Sequence, residues 1–203
     1  IPYIGNTKYA ITNAQYPTVA FLDYKNSLLE LSIGRRLFHM GPGEYSFILS
    51  PVQPYLDHFF SSLYYRKETF SLIYDFYALS SSNSTFTPGE RTRVYKTFFI
   101  HKATYERKDL IIALSELNCV YDTIPTLADF TPFVLWHNQY QEEHSNVMIE
   151  LSFETKIKDI RLYGLYAQDD ICLKNESDNL KPTALGFALG LDWQIKKGNR
   201  YLA

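Results

Sequence analysis

The residues of this sequence that could do chemistry are concentrated in two stretches, SIGRRLFHMGPGEYSFILS at 32–50 and DFTPFVLWHNQYQEEH at 129–144. The first has two arginines, and a guanidinium group can bind a carboxylate of an acidic sugar with its fixed fork of donors. The second sets an aromatic ring beside amide, imidazole and carboxylate groups, a combination that can stack on a sugar and bond its hydroxyls. The candidate glycan contacts are Arg36, Trp136, His137, Asn138, Tyr140 and Glu142.

Each candidate has a structural alternative. Arg36 could instead form an internal ion pair with Asp75, Glu116 or Glu150, and we favour this alternative because a polar interior needs paired charges. The stretch around Trp136 could pack as a cap on the end of the fold. The glycines of the Gly-Pro-Gly sequence reach positive φ and the proline fixes a turn, so a backbone role is expected there.

Other classes of chemistry have weaker signals. The five histidines are scattered, no nucleophile elbow is present, and the adjacent carboxylates at 142–143 and 169–170 do not define glycosidase geometry. Cys119 and Cys172 have no CxxC or His-rich neighbourhood, so they form either one disulfide or two buried thiols. We expect a non-catalytic protein with no metal and no cofactor. The net charge of -2 also argues against a nucleic-acid partner.

These candidate residues must be positioned by the secondary structure around them. Most of the sequence alternates apolar with small or polar residues, with a period of two. In TALGFALGLDWQI, at 183–195, every second residue is large and apolar, and the residues between them are small or polar. This alternation puts the apolar residues on one face and predicts a strand. The apolar residues are Leu185, Phe187, Leu189, Leu191, Trp193 and Ile195. Short turns near 66–67, 107–109 and 156–159 alternate with long loops at 79–93, 120–144 and 169–182. The pattern predicts an all-β, antiparallel up-and-down meander over a single domain, 1–203.

Two architectures fit such a meander. A soluble barrel or sandwich buries the apolar faces, whereas an outer-membrane barrel turns them to lipid and lines its lumen with polar residues. Strands of about 10–13 residues and aromatics near strand ends favour the membrane barrel. Lone charges among small residues on the non-apolar faces also favour it. The expected lumenal charges are Asp75, Glu116, Glu150 and Asp192.

Four motifs in order resemble the Wzi-type capsule-assembly proteins of bacterial outer membranes. The first, IGRRLFHMGPGEYSFILSP, has a strand that ends in Gly-Arg, then Gly-Pro-Gly, then an apolar run that ends in Ser. It is followed by PYLDHFFSS, by the Leu-Ser-Glu at 114–116, and by LYGLYAQDDI at 162–171. The resemblance covers roughly residues 28–193. Its structural motif residues are Gly34, Arg35, Gly41, Pro42, Gly43 and Ser50.

The resemblance implies a monomeric outer-membrane barrel that binds capsular or other surface polysaccharide in a lectin-like, non-catalytic manner. Members of that family form larger barrels than 203 residues can build, so we expect a segment of a barrel. The chain begins at Ile1 without a signal-peptide pattern, which we interpret as a processed product or a fragment. Two alternatives stay open: a soluble β-barrel or sandwich that binds a small apolar ligand, and a general diffusion porin.

Overall fold

The computed structural model describes residues 19–43, 46–49, 55–87, 90–121, 123–132, 145–169, 184–193, 195–197 and 200–202. Nine strands form one antiparallel sheet in chain order, which confirms the predicted all-β meander. They are β1 Ala20–Lys25, β2 Leu29–Arg36, β3 Leu56–Arg66, β4 Ser71–Thr87, β5 Glu90–Arg107, β6 Leu110–Tyr121, β7 Ser145–Ile157, β8 Ile160–Asp169 and β9 Ala184–Trp193. A separate hairpin pairs β10, Ile195–Lys197, with β11, Arg200–Leu202.

The sheet has two open edges, because β1 and β9 do not pair with each other in the described part of the chain. The predicted closure into a barrel is therefore not seen within these residues. A 3-10 turn at Leu127–Phe130 lies between β6 and β7. No helix among the described residues is long and apolar enough to cross a membrane.

The strand register gives the sheet two chemically different faces, since successive residues of a strand point to opposite sides. One residue from each of β2 to β9 forms a row across what we call the inner face: Glu30, Ser62, Asp75, Lys102, Ser115, Glu150, Ala167 and Gly186. The neighbouring row, on the outer face, consists of Leu29, Leu63, Tyr74, Ala103, Leu114, Leu151, Tyr166 and Phe187.

Tight connections join the strands at one end of the sheet, here called the turn end. The β5–β6 and β7–β8 turns each have two residues, Lys108-Asp109 and Lys158-Asp159, and 67–70 joins β3 to β4. These positions agree with the predicted short turns. The opposite end, here called the loop end, receives the long connections from β2 to β3, from β6 to β7 and from β8 to β9.

The predicted loop at 79–93 is wrong, because most of it is strand. Ser81 pairs with Lys96 and the register continues to Thr87 and Glu90, so β4 and β5 form a ribbon that extends beyond their neighbours. The Ser/Thr-rich sequence indicated a loop by its polarity. However, threonine is β-branched and pairs well across antiparallel strands, so a polar sequence can still form a two-stranded ribbon.

The largest apolar cluster lies on the inner face near the loop end. It joins the chain between β2 and β3 to four strands, and its buried members are Phe38, Met40, Ile48, Leu49, Leu56, Leu79, Ile100 and Leu117. A smaller cluster on the outer face contains Phe76, Ala78, Phe99 and Val120. Phe130, from the 3-10 turn, packs edge-on against Phe99 at 5.0 Å between ring centroids.

We predict that Leu79→Ala lowers the free energy of unfolding by about 2–5 kcal/mol, because Leu79 is fully buried in the inner cluster and its truncation leaves a cavity. Denaturant unfolding followed by tryptophan fluorescence measures the change. Leu189→Ala is the matched control, since Leu189 is 80% exposed on the outer face. Equal losses for the two variants would contradict this assignment of the faces.

Candidate functional site

Residues 37–43 and 46–49, which follow β2, lie on the inner face, and we call them the inner segment. The amide of Met40 donates a hydrogen bond to the carbonyl of Leu49 at 3.1 Å, which joins the two described parts of the segment. The residues at 46–49 are not a strand, so the apolar run after the Gly-Pro-Gly sequence packs into the inner cluster instead of extending the sheet.

Glu150 holds the inner segment from β7. Its carboxylate accepts hydrogen bonds from the Phe47 amide at 3.0 Å and from the Ser46 hydroxyl at 3.3 Å. The Ser46 oxygen in turn accepts from the amides of Ile48 and Leu49. Only 1% of Glu150 is exposed, and such a buried carboxylate depends on these donors to offset the loss of water.

Arg161, on β8, forms the second attachment. Its guanidinium bonds both carboxylate oxygens of Glu154 at 2.8 Å and one of Asp192 at 2.7 Å. The same group donates to the carbonyl of Pro42 in the Gly-Pro-Gly sequence. One cation therefore links β7, β8 and β9 to the inner segment through two acidic side chains and one backbone oxygen.

Small residues leave room for the inner segment. A Cβ at Gly186 would lie 2.7 Å from the Phe47 ring, and one at Gly43 would lie 2.6 Å from the Tyr163 ring. The backbone of Gly41 has a φ of +98°, a conformation that glycine adopts easily. The backbone role predicted for Gly41, Pro42 and Gly43 thus has a specific form: two of them fit closely against β8 and the third supplies an acceptor to Arg161.

Arg36 lies on the inner face as the alternation predicts, but its ion pair differs from the predicted one. It lies 3.7 Å from the carboxylate of Asp23 on β1 and packs over the Phe38 ring at 4.9 Å. The predicted partners lie on β4, β6 and β7, which do not pair with β2. Asp23 is closer because β1 pairs directly with β2. The next residue back, Arg35, is on the outer face beside Asp57, at 3.4 Å.

Gly34 permits the close pairing of β1 with β2. Its φ is +143°, and a Cβ there would overlap the carbonyl of Ala20 and the backbone of Phe21. A side chain at this position would push β1 away and with it Asp23, the ion-pair partner of Arg36. The Gly-Arg-Arg sequence therefore combines a backbone contact, an outer ion pair and an inner ion pair.

Three of the four expected lumenal charges share the inner face: Asp75, Glu150 and Asp192. Asp75 accepts a hydrogen bond from Ser62 at 2.5 Å. The fourth, Glu116, was assigned to the wrong face. It pairs with His101 on the outer face, and the ambiguous sequence LIIALSELNCVY explains the error because both faces of β6 are largely apolar.

A polar group on the outer face contacts the chain at Pro132. The Tyr74 hydroxyl contacts His101 Nδ1 at 2.5 Å and donates to the carbonyl of Pro132. Glu116 is 7% exposed and His101 is 5% exposed, so both are screened from the surroundings of the outer face.

Six predicted site residues lie outside the described residues: Trp136, His137, Asn138, Tyr140, Glu142 and Ser50. Residues that the sequence prediction missed are Asp23, Glu154, Arg161 and Tyr163. Asp23, Arg161 and Tyr163 contact predicted positions, and Glu154 contacts Arg161. A signal for Arg161 existed: it follows a turn, and its parity places it on the same face as Glu154, two positions along the paired strand from its direct partner Lys156.

Within the described ranges no group of three His, Cys, Asp or Glu side chains is placed to hold a metal ion. The described site consists of ion pairs and hydrogen bonds that fix a chain segment to a sheet. Comparison with known proteins adds no identification: no family model, no curated protein and no solved structure matches this chain.

We predict that Glu150→Ala speeds hydrogen exchange at the Phe47 amide and costs about 1–3 kcal/mol of stability, because two donors lose their acceptor. Amide exchange of the inner segment and denaturant unfolding measure the two effects. Glu30→Ala is the control, since Glu30 lies in the same row but bonds Tyr64 instead. Unchanged exchange at Phe47 in Glu150→Ala would refute the role assigned to Glu150.

Proposed function

We propose that this chain is a wall segment of a bacterial outer-membrane β-barrel that binds capsular or other surface polysaccharide and helps attach it to the cell. The observation that carries the membrane part is the exposed apolar outer face of the sheet. Leu151 is 47% exposed, Leu114 53% and Phe187 82%, although all three lie within strands and next to other apolar residues.

The extent of this face supports a membrane over water. Along β9, the outer residues from Leu185 to Trp193 are at least 59% exposed, and eight residue steps cover about 27 Å of strand. That length is of the order of the apolar band of a membrane barrel, about 25 Å. A soluble barrel or sandwich would bury this face and expose the inner one, where Asp75, Glu150 and Ser62 are instead buried.

The inner segment supports a binding protein over a general diffusion porin. It extends from β2 to contacts with β7, β8 and β9 on the face that a barrel would turn to its lumen. Apolar side chains such as Met40 and Leu49 fill part of that space. A lumen that contains such a segment offers less free cross-section for diffusion.

The polysaccharide part of the proposal is supported by the resemblance of the four motifs to Wzi-type proteins. It is also supported by the chemistry of the sequence at 129–144, where Trp136 stands among amide, imidazole and carboxylate groups. Flat rings and such polar groups together fit a carbohydrate. The proposal assigns no bond-making or bond-breaking step to this chain.

Membrane insertion is tested with two arginine substitutions at different expected depths on the same strand. We predict that Leu151→Arg, near the middle of β7, costs about 2–4 kcal/mol of folding in lipid, and that Ile157→Arg, at the turn end, costs about 0–1 kcal/mol. Both residues are exposed on the outer face of the sheet, so without lipid against that face the two changes are expected to cost alike. Folding of the full natural polypeptide into vesicles measures the costs, and equal costs would overturn the membrane placement.

Glycan binding is tested with the two tryptophans of the chain. We predict that the full natural polypeptide binds purified surface polysaccharides on an array and that Trp136→Ala lowers this affinity about tenfold or more, as expected for loss of a stacked aromatic. Trp193→Ala is the matched control, since Trp193 lies at the turn end on the outer face. Binding that is absent, or is reduced equally by both changes, would contradict the polysaccharide proposal.

A further inference from the structure

Three successive hairpin turns at the turn end carry an excess of exposed positive charge. The cations are Arg66, Lys67, Arg107, Lys108, Lys156 and Lys158, and all six are exposed. The acidic residues in the same turns are Glu68, Asp109 and Asp159. The side chain of Lys108 is 88% exposed and lies 3.8 Å from the Asp109 carboxylate, a separation and exposure at which an ion pair contributes little.

Two of these cations are held in an unfavourable backbone conformation. Lys108 has a φ of 40° and Lys158 a φ of 56°, each at the first position of a two-residue turn. Glycine and asparagine adopt positive φ more readily than lysine, so the backbone alone would favour either of them. The two turns nevertheless share the sequence Lys-Asp.

The charged turns adjoin an apolar surface with aromatic rings. On the outer face near the turns, Phe70 stacks with Tyr105 at 6.0 Å and packs against Tyr65 at 6.2 Å. Trp193 is 63% exposed at the same end. Aromatic rings between an apolar band and a charged rim are typical of a protein at a membrane–water interface.

We propose that the turn end binds the anionic phospholipid headgroups of the leaflet that it faces, with Lys108 and Lys158 as principal contacts. This inference rests on the proposed membrane placement. The partner follows from charge complementarity and from continuity with the apolar outer face, because a cationic rim directly below such a face meets the phosphates of the lipids that cover it. Each such lysine near an anionic lipid surface increases the folding equilibrium constant by about fivefold.

The test compares folding in two kinds of vesicle. The full natural polypeptide is folded into vesicles of phosphatidylcholine alone and of phosphatidylcholine with phosphatidylglycerol, and urea unfolding gives the folding constant in each. We expect anionic lipid to favour the unchanged protein and Lys108→Asn with Lys158→Asn to reduce this preference by about 25-fold. Because asparagine tolerates positive φ, the double variant is expected to be at least as stable in neutral vesicles.

The matched control changes the acidic residue of the same two turns. Asp109→Asn with Asp159→Asn removes negative charge, so it is expected to strengthen the preference for anionic lipid. The inference is overturned if both lipid mixtures give the same constant, or if the lysine variant is destabilised equally in both, which would indicate a structural role in the turns. A protein that folds into neither kind of vesicle overturns the proposed membrane placement together with this inference.

Discussion

The register of the nine-stranded sheet is the constraint on which the other features depend. Because side chains alternate between faces, a shift of one residue would move Glu150 to the outer face and Leu151 to the inner face. The same would hold for Asp75 and its neighbours on β4. One set of strand pairings therefore produces the inner ion pairs, the apolar outer surface and the surface on which the inner segment packs.

The inner segment illustrates how charge and volume act together on one face. Glu150 and Arg161 fix it at two points by polar contacts, while Phe38, Met40 and Leu49 bury apolar surface near the loop end. Buried charges in such a place are retained only where their hydrogen-bonding partners are present. Backbone groups at Phe47 and Pro42 supply such partners, so the segment and the sheet satisfy each other's polar atoms.

Periodicity was a reliable guide to the strands and a poor guide to tertiary contacts. It correctly predicted the meander and the inner position of Arg36, because both depend on local alternation. It failed for Glu116, because both faces of β6 carry apolar residues and the alternation does not show which face is inner. It also failed for 79–93, because the polar sequence there indicated a loop although the residues form paired strands. The contact of Arg161 with Pro42 joins positions far apart in the chain, and no local pattern encodes it.

The small residues on the inner face of β9 limit how this sequence can diverge. Gly186 faces the Phe47 ring so closely that a larger residue there requires a smaller one at 47. The same relation holds between Gly190 and Tyr163. Substitutions at these sites are therefore expected to occur in compensating pairs. A larger residue at the glycine position is expected in related sequences only together with a smaller residue at the position it contacts.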